Sequence, residues 1–143
     1  MAVADTGARM VFDFDLGRSF VLNGASPGAN GFEFRPVVRA TLPGLTGALT
    51  GTVRDSASAD AVRGAMIELL QAGTAASDTT REHVVATAAA GERGAYTAAF
   101  LPPGRYALRV TGRSSRSARA TAFVREVEVR AGAEAAHRDV ALP

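Results

Sequence analysis

The sequence predicts an all-β protein, an antiparallel sandwich preceded by a β-rich N-terminal extension. Two observations lead to this prediction. Apolar and polar residues alternate over many short segments, as they do in strands with one buried face. Stretches rich in glycine and proline, such as "NGASPGANG", "LPGLTG" and "LPPG", separate these segments at the spacing of strands and turns. A chain of 143 residues has room for one such domain and an appendage.

The N-terminal part contains two alternating stretches. In "VFDFD", Phe12 and Phe14 share one face while Asp13 and Asp15 share the other, and "FEF" repeats the pattern around Glu33. We expect the three carboxylates to lie on a solvated face, away from the phenylalanines. Acid–base chemistry or calcium binding is the alternative, but a catalytic pair needs a buried member with a raised pKa.

Residues 61–73, "AVRGAMIELLQAG", are compatible with either a strand or a helix. The alternation of Ala65, Ile67 and Leu69 favours the strand. Gly64 would interrupt a helix and Gly73 would limit it. We therefore expect a strand.

A rigid turn joins two predicted strands, 94–100 and 105–111. Pro102 and Pro103 preset the backbone of this turn, and Gly104 supplies the positive φ that a tight reversal needs.

The two tyrosines of the chain lie on either side of this turn. Tyr96 is expected to face inward with Ala98 and Phe100, and Tyr106 with the apolar residues that follow it. A tyrosine just after a reversal suits a corner, with its ring in the core and its hydroxyl bonded to nearby backbone. A stacking platform for sugar or base rings is the functional alternative, and it would require exposed rings.

The last segments also alternate. Phe123, Val127 and Val129 are expected to share one face of a strand, and Val140 and Leu142 to close the chain.

These motifs resemble a known family. "TGTV" leading to "RGAMIEL", then "GAY" with "LPPGRY", and finally "VEV" with "DVAL" are similar to the carboxypeptidase regulatory-like (transthyretin-like) modules of bacterial surface proteins, over residues 47–143. The resemblance implies a seven-stranded Greek-key sandwich of the transthyretin-like or Ig-like kind. It also implies a spacer or interaction module without catalysis.

Residues 1–44 are expected to be a partial domain. "FDFDLGRSFVL" and "FRPVVRA", within residues 11–40, resemble the closing strands of a bacterial lipoprotein domain of unknown function. A piece of this size without a disulfide or metal is close to the limit for folding alone. It must lean on the sandwich, pair with something else, or stay mobile. No signal peptide is visible after Met1, so the expected envelope or extracellular location concerns the parent protein.

Composition excludes several classes of protein. The chain has no cysteine, which excludes disulfides and thiolate chemistry, and no run of apolar residues long enough to span a membrane. All 16 basic residues are arginine, so the amide cross-link between lysine and asparagine or aspartate found in some surface sandwiches is excluded.

The two histidines do not have the spacing of a metal site. His83 and His137 form no H-x-H or H-x-x-x-H pair, and the loop aspartates lack the spacing of a calcium loop, so no metal or cofactor is expected. His137 and Asp139 would share a strand face and could pair, but surface imidazoles are the simpler interpretation. Transthyretin-like hydrolases share the general fold, but they have signature histidines and a C-terminal Tyr-Arg-Gly-Ser. This chain has no counterpart of either and ends "DVALP", so it is not expected to be such a hydrolase.

Residues 105–130 are the most basic stretch of the chain. Arg113, Arg116 and Arg119 lie in a serine-rich segment that we expect to be a solvated loop, with weak binding of anions as the alternative. No aromatic residue lies between them, which argues against sequence-specific binding of nucleic acid.

The function predicted from these observations is that of a non-catalytic spacer or ligand-presenting module in a bacterial envelope or secreted protein. The alternative is a module that binds a carbohydrate or a protein through loops at one end of the sandwich. The partner, protein or glycan, is not specified by the sequence.

Overall fold

Twelve short strands make up most of the described chain. The computed structural model describes residues 10–22, 32–78, 80, 82–132 and 134–143. The elements in chain order are β1 (Val11–Phe14), α1 (Leu16–Ser19), β2 (Phe20–Leu22), β3 (Phe32–Phe34), β4 (Val38–Thr41), a 3-10 turn (Pro43–Leu45), β5 (Gly47–Asp55), β6 (Met66–Gln71), β7 (Val84–Ala89), β8 (Ala95–Leu101), β9 (Gly104–Gly112), β10 (Ala120–Val129), β11 (Ala136–His137) and β12 (Val140–Leu142).

Strands β5 to β12 form two facing sheets. One sheet has the order β10-β9-β6-β7, and the other consists of β8, β5 and the closing pair β11 and β12 beside β5. The predicted all-β sandwich is confirmed. At 61–73 the structure has a strand and not the alternative helix, and Ala65, Ile67 and Leu69 are fully buried, because alternate residues share one face.

The closing strand differs from a purely antiparallel arrangement. β11 and β12 run parallel to β5, with Ala136 opposite Leu49 and Val140 opposite Val53. The chain reaches them by crossing from β10, at the edge of the opposite sheet, so it enters beside β5 in the same direction as β5. The first and last strands of the sandwich are therefore neighbours.

The core between the sheets is mainly aliphatic and also contains both tyrosines. Burial of apolar side chains stabilises it by roughly 25 cal/mol per Å². The largest fully buried side chains of this core are Leu49, Ile67, Leu69, Leu101, Leu108, Leu142, Val53, Val110 and Val129.

A β-bulge in β8 changes which residue enters the core. Leu49 lies opposite Ala98 and Gly47 opposite Leu101, so β8 has one more residue than β5 in this interval. Phe100 takes up the extra length with a φ of 54°. The prediction that Phe100 faces inward is wrong, since it is half-buried and Leu101 is fully buried in the core.

A second bulge shifts the phase of β10. Pairing with β9 is irregular between Val124 and Val127, where Glu126 has a φ of 55°. Phe123 was predicted to share a face with Val127 and Val129, and this is wrong. It packs in a separate cluster with Leu70, Val84 and Ala107.

Two antiparallel ribbons form the described part of the N-terminal extension. β1 pairs with β4, with Phe12 opposite Ala40 and Phe14 opposite Val38. β2 pairs with β3, with Phe20 opposite Phe34. Helix α1 connects β1 to β2 and lies against β7, where the Arg18 guanidinium donates to the Val85 carbonyl at 2.8 Å.

The prediction that Asp13 and Asp15 lie on a solvated face is wrong. Phe12 and Phe14 are 62% and 58% exposed, whereas Asp15 is 4% exposed and Asp13 is half-buried. The Asp15 carboxylate caps α1 by accepting from the Arg18 N–H at 3.2 Å, and it accepts from the Thr87 N–H at 3.1 Å. These donors satisfy the buried charge.

Within the described ranges, no helix has the length and apolar character needed to cross a bilayer.

Candidate functional site

The turn after β8 is held by a tyrosine hydroxyl. Tyr106 is 6% exposed, and its hydroxyl donates to the Pro102 carbonyl at 2.5 Å, the kind of bond to nearby backbone that the sequence predicted. Pro102, Pro103 and Gly104 are exposed, and Gly104 has a φ of 155°. Burial raises the pKa of Tyr106, so its hydroxyl remains a donor at neutral pH. A buried ring leaves no face for stacking on a ligand.

Tyr96 bonds to the closing strand and not to the turn. It is 3% exposed, and its hydroxyl donates to the Arg138 carbonyl between β11 and β12 at 2.6 Å. Burial raises the pKa of Tyr96 to about 12. Gly51 lies opposite Tyr96 in β5, and a methyl group at Gly51 would overlap the Arg138 carbonyl. Glycine is thus required for this close approach.

Asp139 lies between β11 and β12 and binds to Thr52 of β5. Its Oδ1 accepts from the Thr52 N–H and from the Thr52 hydroxyl, both at 2.8 Å. These bonds lower the pKa of Asp139. The Arg138 N–H donates to the Thr50 carbonyl at 2.8 Å. We call β5, β11 and β12, together with Tyr96 and Asp139, the terminal clamp.

His137 and Asp139 lie close together within the clamp, which is the alternative to the surface imidazoles expected from the sequence. His137 Nε2 lies 3.1 Å from Asp139 Oδ1, and both side chains are more than half exposed. The other histidine is His83, and its Nε2 lies 3.3 Å from Asp78 Oδ2 in a different part of the structure. No group of three or more histidine, aspartate or glutamate side chains suited to a metal occurs among the residues that the structure describes.

Asp55 ties two loops together at the end of β5. Its side chain accepts from the N–H groups of Ala57 at 2.7 Å and Ser58 at 3.3 Å, and also from that of Ser115. These bonds lower the pKa of Asp55 to about 2, and the bond from the Ser115 N–H makes the largest contribution. The carboxylate is occupied by backbone donors and is 5% exposed, so it serves the loops and not a reaction.

The three arginines of the basic loop are in different settings. Arg113 lines a shallow cavity of about 330 Å³ with Asp55, Asp60 and Arg63, among others. Two carboxylates and two guanidinium groups give this lining no net charge, which disfavours anion binding. Arg116 and Arg119 are exposed further along the loop. The loop itself is tied down, because its Ser115 N–H bonds to Asp55.

The sequence pointed to the two tyrosines, but it did not indicate Thr52, Asp139 or Gly51 as members of one arrangement. Thr52 and Asp139 are 87 residues apart in the chain. An aspartate at a strand interruption and a glycine inside a strand were the available signals, and neither identifies its partner.

Comparison with known proteins identifies the family of this chain. The family model for the carboxypeptidase regulatory-like domain matches residues 48–143, which is more than half of the sequence. The chain belongs to this family. In this carboxypeptidase regulatory-like domain, the matched residues begin at the second residue of β5. They include the rest of the terminal clamp and the turn between β8 and β9 that Tyr106 holds. The resemblance stated from the sequence is confirmed for this part of the chain.

Two solved structures are similar to this carboxypeptidase regulatory-like chain. They are the crystal structures of BcpA, the major pilin subunit of Bacillus cereus, and of a variant of BcpA. Each is 16% identical, and the match covers 78% of this chain, with TM-scores of 0.45 and 0.44. The match covers 35% of the first pilin chain and 36% of the second. No curated protein matches the chain.

Proposed function

We propose that residues 47–143 form a non-catalytic structural module that carries tension along the polypeptide of a cell-envelope or secreted protein. The observation that supports this is the terminal clamp. The spacer function expected from the sequence is thus proposed to be a mechanical one, in which the module bears tension.

The direction of the terminal strands determines how the module responds to tension. A pull on the chain reaches the sandwich at Gly47 and leaves it at Leu142. Because β12 runs parallel to β5, the two loaded ends point in opposite directions and the pull slides the strands along each other. The hydrogen bonds between the strands then bear the load at the same time. Strands that are pulled apart from one end lose their hydrogen bonds one after another.

The side chains of the clamp add bonds that resist this sliding. The Tyr96 hydroxyl binds the Arg138 carbonyl, and Asp139 holds Thr52 by two bonds of 2.8 Å. Tyr96 and Asp139 attach the closing strand to the rest of the sandwich at its interruption, between the end of β11 and the start of β12. Such bonds slow forced unfolding if they must break before the transition state.

Two findings support the absence of catalysis in this module. The chain belongs to a family of regulatory-like domains, and the buried carboxylate Asp55 is occupied by backbone N–H donors. The envelope or extracellular location is part of the proposal and is supported by the resemblance of residues 11–40 to a lipoprotein domain. Cell fractionation of the source organism tests it, and recovery only in the cytoplasm would contradict it.

Single-molecule pulling on the full chain tests the mechanical function. The chain has no cysteine, so engineered thiols provide unique handles. Handles at the chain ends load the clamp in shear. A pair of cysteines in place of Ala48 and Ala135 pulls the same strands apart from one end, and we expect unfolding at a several-fold lower force.

Matched variants separate the clamp from general stability. Asp139→Ala is expected to lower the unfolding force in the shear geometry, whereas Asp60→Ala, at an exposed loop aspartate, is not. Equal forces in the two geometries would contradict the proposal. A glycan array with the full chain tests ligand presentation, and specific glycan retention would favour the binding module instead.

A further inference from the structure

One face of the β1–β4 ribbon is apolar and points away from the sandwich. The register places Phe12 opposite Ala40 and Phe14 opposite Val38, and all four residues are exposed. We call these four residues the ribbon face. It carries no charged group, so water gains no polar contact with its side chains.

The opposite face of the ribbon is polar and is directed inward. Asp13 and Arg39 form an ion pair at 2.5 Å, with side chains only 31% and 20% exposed. Behind them, Asp15 is buried and bonds to Thr87 of β7, and the Asp15 N–H donates to the Val37 carbonyl at 2.9 Å. These bonds fix the orientation of the ribbon. It cannot turn over to bury its phenylalanines without breaking them.

The elements bonded to the ribbon extend the apolar surface. Leu16, Phe20 and Phe34 are 65%, 47% and 56% exposed, and the rings of Phe20 and Phe34 are 5.2 Å apart. Together with the ribbon face they expose on the order of 600 Å² of apolar side chain, given the size of aromatic residues. For comparison, the largest apolar patch on an ordinary monomer exposes about 300–600 Å².

We propose that the ribbon face is the contact between two copies of this chain, packed face to face about a twofold axis. A stable interface buries about 800 Å² on each partner, and the apolar side chains alone supply most of that area. The ribbon face is uncharged, and Glu33 and Arg35 beside it pair with each other at 3.0 Å. Among the residues that the structure describes on this surface, no unpaired charge would repel an identical surface, which favours a second copy as the occupant. The proposal does not depend on the mechanical function.

Sedimentation analysis of the full chain over a range of concentrations tests this contact. We expect the wild type to dimerise reversibly and Phe14→Glu to weaken the dimer about thirtyfold or more, as loss of an interface hot spot does. Leu45→Glu is the control, because Leu45 is 65% exposed but lies outside the ribbon. It should dimerise like the wild type.

A cysteine variant keeps the test independent of the folding of Phe14→Glu. Ala40→Cys places a thiol on the ribbon face, whereas Ala118→Cys places one on the exposed basic loop. Under mild oxidation we expect a covalent dimer from the former and not from the latter. A wild type that stays monomeric at every concentration would refute the proposal, even if it captured a different protein. Equal cross-linking of both variants, or equal effects of Phe14→Glu and Leu45→Glu, would also refute it.

Discussion

Replacing Gly51 with alanine should destabilise the terminal clamp more than its small size suggests. The added methyl group would overlap the Arg138 carbonyl and would lie 2.6 Å from the Arg138 carbonyl carbon and 2.9 Å from Tyr96 Cε1. The first two atoms belong to backbone, which cannot move aside as a flexible side chain can. The connection between β11 and β12 must therefore shift away from β5.

The magnitude follows from two contributions. Forcing an extra methyl group into a packed site costs about 1–3 kcal/mol. The shift also separates the Tyr96 hydroxyl from the Arg138 carbonyl, and a lost hydrogen bond of this kind costs about 1 kcal/mol. We expect a loss of about 2–4 kcal/mol, a large part of the 5–15 kcal/mol that stabilises an ordinary domain.

Urea denaturation followed by circular dichroism measures this loss, and hydrogen exchange locates it. Exchange should accelerate first at the amides of β12, because that strand is displaced. Gly44→Ala is the matched control, since a methyl group at Gly44 would meet nothing within 4 Å, and its stability should stay within about 0.5 kcal/mol of the wild type. Equal stability of the two variants would refute the account of the clamp.

Three further predictions concern the turn and the loops. Tyr106→Phe should cost about 1 kcal/mol through loss of the bond to the Pro102 carbonyl, and an unchanged urea midpoint would show that the hydroxyl is not needed. Since the pKa of Asp55 is lowered to about 2 from 3.8, its bonds contribute stability above pH 4 that is lost as the pH falls towards 2. Asp55→Asn should be less stable than the wild type at pH 7 and lose less stability over that acid range, and parallel pH profiles would contradict this. Serine in place of Arg113, Arg116 and Arg119 should change stability by no more than about 0.5 kcal/mol, and a larger change in thermal unfolding would give these side chains a structural role. The same substitutions should weaken any binding to heparin at low salt.

Alternation in the sequence indicated which residues share a face, but not which face is buried. In β6 the apolar face is the inner one, so the prediction for Ile67 and Leu69 is confirmed. In β1 the same pattern led to the wrong face, because bonds from Thr87 to Asp15 favour the polar side of the ribbon as the inner one. That preference depends on a residue 72 positions away, which no local pattern includes.

The bulges were missed for a related reason. Phe100 and Glu126 adopt positive φ values although neither is glycine, so their residue types give no signal of an extra residue in the strand. The turn at Pro102 and Gly104 could be predicted because proline and glycine restrict or permit backbone conformation by themselves. Alternation and the positions of glycine and proline thus predict the fold class and the turns, while register depends on the partner strand.

The contact between α1 and β7 affects how a truncated fragment of this chain would behave. β7 is the last strand of its sheet, so one row of its backbone N–H and C=O groups has no neighbouring strand. Asp15 and Arg18 occupy two of these groups, at Thr87 and Val85. A fragment trimmed to the matched residues 48–143 would lack both side chains and present an open strand edge to other molecules. Such a fragment should therefore aggregate more readily than the whole chain, and α1 acts as a guard against edge-to-edge association.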